Sequence, residues 1–409
     1  MATPTPTIKI GFIGPAFDNA FTLDSATNGR LDNTDYVLGG TEILVDLTSR
    51  TTSLKIKRGR KDFTQPFRTG EATIILRNID GELDPLSSSS TYYPGVTVGR
   101  TVTIDCNGTS IYNGTITNIE LGYTVGGDAW VVVRAADGLA DLATREITDN
   151  TVFSAQTSGE RVTAVLTNAG VDYQGTSAIN AGLSDLAAET LTSATNTRSY
   201  LRKVINSEQG YLYANRSGVL TFENRYGPLS DTNKATFSDD GSDIGYQRMD
   251  RRVATAELFN QLSANRTSQD PVLVNNTSSQ DSYGIRNLNV GEVLVTDNAT
   301  VTDLLSLLLV KTASTETRIA EITSVLDTLS ASDITSIAQL ELVDKVTVEF
   351  TPPGTSQQIA ASHIESIEHM FSFGTTWRVT LGLIPQIVTS YLVLDNATLG
   401  QLDNNSLGF

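Results

Sequence analysis

The chain has 409 residues and a mass of 43.9 kDa, enough for two or three compact units with cores of their own. Hydrophobic residues make up 39% and charged residues 18%, both under the usual roughly 45% and 25%, and Thr, Ser, Asn and Gly fill the difference, a balance that suits a β-rich protein with long polar loops. A net charge of −17 argues against a protein that grips phosphate backbones, and a single cysteine, Cys106, excludes an internal disulfide framework and a cysteine-based zinc cluster.

In chain order, residues 1–41 read as an N-terminal arm and 42–148 as a first β domain. Ile56 to Arg60 and Glu71 to Arg77 are strand segments, followed by turns at Asp80-Gly81 and Asp84-Pro85. Thr101 to Asp105 alternates, Asn107-Gly108 is a strong hairpin signal, Ser110 to Leu121 alternates again, and Trp130 to Arg134 closes the set. These strands read as one antiparallel barrel or sandwich.

The period then changes. Val162, Val165, Leu166 and Ala169 share a helical face that stops at Gly170, and Leu201, Val204 and Ile205 repeat the device before Gly210. Tyr211 to Phe222 is a hairpin about Gly218, so residues 149–228 form a small α+β module inserted between β-rich halves. In residues 229–386 strands are expected at 256–263, 271–275, 345–350, 359–373 and 377–383, and a helix between Val301 and Lys311 is capped by Thr300 or Thr302. Residues 315–329 are ambiguous, because Ile319, Ile322, Leu326 and Leu329 fit a helix while the Thr and Ser content and the surroundings favour a strand. Residues 387–409 read as a C-terminal arm.

The two ends repeat one another. Leu23 to Asn33 and Leu394 to Asn404 agree at eight of eleven positions. Each offers leucines eight residues apart, each followed by Asp, with a Gly between. The expectation is a pair of partner-docking segments that use Leu23, Asp24, Gly29, Leu31 and Asp32, and Leu394, Asp395, Gly400, Leu402 and Asp403.

Apolar runs such as Leu307 to Val310 fall far short of the roughly 18 residues a membrane span needs, so no membrane insertion by this chain is expected. The opening stretch MATPTPTIKIGFIGPAF has no sustained apolar segment, and assembly in the cytoplasm is expected rather than secretion.

Groups suited to catalysis are few. The two histidines, His363 and His369, share a strand face with Glu365, but six positions of extended chain separate them by about 20 Å at roughly 3.3 Å per residue, too far for one metal ion. They are read as ordinary surface or interface histidines. Asp80, Glu82 and Asp84, and Asp239, Asp240 and Asp243, resemble calcium loops in their hard oxygen ligands, yet both lack the twelve-residue EF-hand pattern and Asp-Gly turn chemistry explains them. Phosphate-cradling, nucleophile-elbow and dinucleotide motifs are missing. Glu189, Glu208 and Glu223 show no pairing as catalytic carboxylates. The reading is therefore a protein without enzymatic activity, with no catalytic residue, no metal and no cofactor. The one basic cluster, LKIKRGRK, places Lys55, Lys57, Arg58, Arg60 and Lys61 on a strand, where contact with an acidic neighbouring subunit is preferred over nucleic-acid binding. Tyr92, Tyr93, Tyr211 and Tyr213 are assigned to core or interface packing rather than to sugar stacking.

Several stretches resemble the minor tail proteins of tailed bacteriophages, of the tail-hub family that is similar to the baseplate hub of contractile tails. They are Ile56 to Arg60; Gly70 to Pro85 with its Asn78-Ile-Asp80-Gly81 turn; Tyr93-Pro-Gly95 with Gly99-Arg100; Asn113-Gly114; Ser282 to Arg286; Val343 to Val348 with Pro352-Pro353-Gly354; and Ile364 to His369 with Trp377 and Pro385. The order and spacing match over nearly the whole chain. Val343-Asp344-Lys345 departs from the family's Val-Gly-Asp, which leaves the turn there open.

The resemblance implies a mainly β fold of two tail-tube-like β-barrel domains, 42–148 and 229–386, with the α+β module at the side. It also implies a homotrimer ring that sets six barrels around one axis. The function implied is a structural hub of the virion tail tip. It would join the tail tube or distal tail protein to other tip proteins and form part of the channel for genome ejection, DNA passing without specific binding. A distal tail ring protein and a tip-located host-glycan-binding or cell-wall-degrading protein are the alternatives.

Overall fold

A computed structural model of the protein describes residues 3–13, 25–26, 29–30, 42–171, 178–227, 232–253, 257–315, 318–374 and 376–386. The first half contains β1 (Pro6–Phe12), β2 (Ile43–Asp46), β3 (Thr51–Gly59), β4 (Arg68–Arg77), β5 (Thr101–Cys106), β6 (Thr109–Tyr123) and β7 (Ala129–Ala136), in the spatial order β2-β1-β5-β6-β7-β4-β3. The period of two decides their faces: Ile8 and Ile10, Leu54 and Ile56, Ile74 and Leu76, Val102 and Ile104, and Val131 and Val133 all turn into one core. At Asn107 and Gly108 the φ angles are +49° and +76°, as a two-residue turn from β5 to β6 requires.

One correction falls here. Residues 6–12, placed in an N-terminal arm by the sequence, form a core strand of this half, paired with β2 and β5. Only Ile8, Ile10 and Phe12 carry the signal, and the Gly and Pro residues around them hide it.

The chain then leaves the sheet for α1 (Leu139–Thr144), α2 (Ser158–Asn168) and α3 (Thr197–Glu208), and for the hairpin β8 (Tyr211–Ala214) with β9 (Leu220–Glu223). A capping box of Thr157 and Glu160 starts α2. Asn196 starts α3 by accepting from Ser199 N, and Gln209 ends it at φ +54°.

After β10 (Ala235–Ser238), β11 (Ile244–Gly245) and β12 (Arg248–Arg252) the chain returns to this module with β13 (Gln261–Arg266), β14 (Val272–Asn275), α4 (Thr277–Tyr283), β15 (Asn287–Val293) and α5 (Asn298–Thr312). Leu262, Val293, Val301, Leu304 and Leu305 share one core with Val162, Val165, Tyr200, Leu201 and Val204. The module is thus built from two separate stretches of chain, and the stretch expected as an unbroken second β domain contributes to both cores. Asp297, not Thr300 or Thr302, caps α5 by accepting from Thr300 N at 2.8 Å.

The chain then continues with β16 (Arg318–Val325), α6 (Ala331–Gln339), β17 (Lys345–Phe350), β18 (Gln358–Ser372) and β19 (Trp377–Pro385). Within the ambiguous stretch 315–329, Arg318–Val325 is a strand followed by a short 3-10 turn, Leu326–Thr328. A register shift against β12 leaves Ala320 as an extra residue, which brings Ile319 and Ile322 to the same face and imitates helical spacing.

All the long strands of both halves join one sheet of fourteen strands. Its main path runs β11-β10-β17-β18-β3-β4-β7-β6-β5-β1-β2, and β12-β16-β19 branches from β18. Pairing among the described residues stays open, with β2, β11 and β12 at the ends, so neither half closes into a barrel there.

Candidate functional site: the seam between the two β halves

β18 is fifteen residues long, and its length joins the halves. Along one edge residues 358–363 pair with β17 and residues 366–372 pair with β3, while the other edge carries β19. Between the two partners a register shift leaves Glu365 unpaired in the ladder, and its carbonyl accepts from Arg60 N at 2.8 Å. Opposite it, Gly59 has φ +106°, and a Cβ there would lie 2.2 Å from the Glu365 carbonyl oxygen. Only glycine fits so close an approach.

The basic strand meets its counter-charges across this seam, in the same chain. Lys55 pairs with Glu368 at 2.9 Å, Arg58 with Glu341, and Arg60 with both carboxylate oxygens of Glu365, at 2.9 Å for Nη2. The acidic neighbour expected on another subunit is therefore, for these three residues, the chain's own second half. Lys57 and Lys61 have no ion pair among the described residues. Sequence reasoning missed the partners because 283 and 305 positions separate Arg58 from Glu341 and Arg60 from Glu365.

Glu341 is a junction. One oxygen pairs with Arg58 and accepts from Leu342 N at 2.8 Å; the other accepts from Arg216 N at 2.6 Å, in the turn between β8 and β9. Arg58 is 4% exposed and also donates to the Ala214 carbonyl at 3.1 Å. Beside them Asp137 accepts from Gly70 N and Leu139 N, and burial pushes its carboxyl up to about 7 against the pull of those amides and of Arg58.

Both histidines, read from the sequence as ordinary surface or interface groups, are buried in this region. His363 Nδ1 donates to the Val343 carbonyl at 3.1 Å, and Val343 holds the left-handed φ of +74°, unusual for a β-branched residue, at the turn where the sequence departs from the family pattern. His369 lies edge-on to Trp377 with ring centres 6.1 Å apart. Burial, followed by the nearby Arg58, lowers its pKa to about 3. In the unfolded chain it titrates near 6.5, so the unfolded state binds more protons between these values, and the stability due to neutral His369 is full above about 6.5 and is lost as pH falls through that window. Thermal unfolding followed from pH 7 to pH 4 should show a shallower decline for His369→Phe than for the parent; an equal slope would contradict the buried neutral imidazole.

The other candidate groups are engaged structurally. Asp80 is held by two bonds from Arg50, at 2.8 and 2.7 Å, which keep its carboxyl below the ordinary value. Glu82 accepts from Thr91 N, Asp84 from Leu86 N, Asp239 from Thr351 N and Asp240 from Ser242 N. No group of three such side chains is placed to hold a metal ion among the described residues. Glu189 accepts from the Tyr200 hydroxyl and Glu223 from the Tyr213 hydroxyl. Glu208, fully buried, binds Ser158 Oγ at 2.7 Å, the amides of Leu183 and Ser184, and Arg225. Desolvation raises its pKa, but these partners together hold it below the ordinary value. Tyr211 and Tyr213 pack on Phe67, and Tyr92 stacks on Phe12 at 4.6 Å.

Where the module meets the sheet lies a cavity of about 180 Å³. Arg60, Arg202, Arg225 and Lys311 line it together with Glu365 and His363, over an apolar wall that includes Ile205 and Leu308. Of the docking segments at the ends, Gly29 N donates to the Ser25 carbonyl at 3.0 Å. Leu23, Asp24, Leu31, Asp32, Leu394, Asp395, Gly400, Leu402 and Asp403 lie outside the described residues.

The fold is similar to those of three solved tail proteins. The tail protein from Neisseria meningitidis MC58 superposes with a TM-score of 0.57 at 13% identity, over 92% of this chain and 96% of that one. The 43 kDa tail protein of prophage MuSo2 from Shewanella oneidensis gives 0.58 at 13% identity, over 93% and 98%. Prophage tail protein gp18 from Listeria monocytogenes EGD-e gives 0.51 at 10% identity, over 94% and 96%. No protein-family model and no curated protein matches the chain.

Proposed function

We propose that the chain is a structural subunit of a bacteriophage tail, placed at the hub of the tail tip between the tail tube and the tip or baseplate proteins. The observation that carries this reading is the full-length likeness of fold to phage tail proteins, which extends over both β halves and the module at once. The continuous sheet suits that role. A subunit that transmits force between tube and tip gains from having its two β halves joined by backbone hydrogen bonds along β3 and β18 and by three ion pairs, rather than by a flexible linker.

In this reading the two β halves supply two tube-like units per chain, the module, built from 139–223 and 261–312, stands at the side, and three copies close a homotrimer ring whose axis forms part of the genome channel. The repeated segments near the two ends, Leu23 to Asn33 and Leu394 to Asn404, act as docking segments, and Lys57 and Lys61, without an ion pair among the described residues, are available to an acidic neighbour. The acidic composition suits a wall past which DNA slides without being held. No catalytic step is assigned. Gold-labelled antibody against the chain should decorate isolated tails at the tip end only; label along the tube, or on tail fibres alone, would overturn the placement.

A further inference from the structure

The cavity between module and sheet carries charge that the described chain does not neutralise. Arg60 and Arg225 are held by Glu365 and Glu208, whereas Lys311, in the last turn of α5, and Arg202, on α3, have no ion-pair partner among the described residues. Desolvation and the neighbouring Arg60 hold the Lys311 ammonium below its ordinary value, with Glu365 acting the other way. A cation in such a place gains from an incoming carboxylate, which supplies the missing counter-charge without creating a new buried one. The wall beside the charges is apolar, formed by Ile205, Leu288, Leu307, Leu308 and Ile384. Charge and wall together fit an acidic side chain with a leucine next to it.

We propose that the cavity is the receptor for the chain's own segment Leu394 to Asn404. That segment offers Leu394-Asp395 and Leu402-Asp403, two leucine–aspartate pairs with no Lys or Arg between them. Its counterpart near the other end carries Arg30, which makes it the poorer match. The described chain runs out at Gln386, directly after Ile384 and Pro385, which line the cavity. Residues 387–393 then form a tether that spans at most about 25 Å at roughly 3.5 Å per residue, so the segment is held at high effective concentration beside the site. The inference rests on the docking role proposed for the repeated ends and not on the assignment to a phage tail.

Amide hydrogen exchange of the full chain tests it. Exchange in 394–404 should be slowed about tenfold or more relative to a free peptide of that sequence. The protection should disappear in an R202E/K311E variant, and equally in D395N/D403N, whose changes lie on the segment and leave the cavity intact. Unaltered exchange in β18 and β19 shows that the variants are folded. Protection that survives dilution assigns the segment to its own copy, and protection lost on dilution assigns it to a neighbouring copy; both keep the occupant. Free-peptide exchange rates in the parent, or protection retained in D395N/D403N, overturn the proposal. Correct labelling of tail tips by a chain with an unprotected segment would sink this inference while leaving the tail reading in place.

Discussion

Glu341→Ala is expected to lower the unfolding free energy by about 3 kcal/mol, the lower end of the range for breaking a buried ion pair. Three parts of the chain meet at this carboxylate: Arg58 on β3, Arg216 N in the β8–β9 turn, and Leu342 N ahead of β17. Removing it leaves Arg58, 4% exposed, with its Ala214 carbonyl and the nearby Asp137, but with no ion pair among the described residues. The Glu341 side chain keeps 16% exposure, so water can enter the vacated place, and for that reason the lower end of the range applies. Glu341→Gln keeps the acceptor for Arg216 N and should cost less. Urea unfolding followed through Trp130 on β7 and Trp377 on β19 measures both halves; a loss below about 1 kcal/mol for Glu341→Ala would show that the ion pair does not join them.

Much of the fold was legible because the residues that form it are close in sequence. Asn107-Gly108 turned the hairpin where its chemistry required, Gly170 stopped α2, and the alternation of Ile74, Leu76, Val131 and Val133 placed their strands. What was not legible depends on distant pairing. Nothing near Lys55, Arg58 and Arg60 identifies Glu368, Glu341 and Glu365 as their partners, so the basic strand read as a surface awaiting another subunit. The contribution of β13 to β15 and α5 to the module is hidden in the same way, because Leu262 and Leu304 are ordinary core leucines whichever core they enter. Local irregularity hid the rest: a bulge at Ala320 gave a strand the spacing of a helix, and Pro6–Phe12 is a short strand with a glycine among its core residues. The cavity could not be read at all, since Arg60, Arg202, Arg225 and Lys311 come from four separate stretches of chain.

The second large effect concerns assembly. Each chain brings two β halves into one sheet through β18, so a ring of three places six β halves around one axis. Such a ring meets threefold components on one side and sixfold components on the other without leaving contacts unmatched. A chain that acted as a distal tail ring would instead enter as six copies, with twelve β halves about the axis. The two arrangements differ twofold in mass and in rotational symmetry. In solution the closed assembly should therefore weigh three times the 43.9 kDa of one chain.

The most direct test is an image reconstruction of assembled tails without imposed symmetry. The account predicts three copies of this chain in a closed ring between the tube and the tip proteins, with β3 of each copy paired to its own β18. Six copies in that ring, or density for this chain away from the tip, would contradict it.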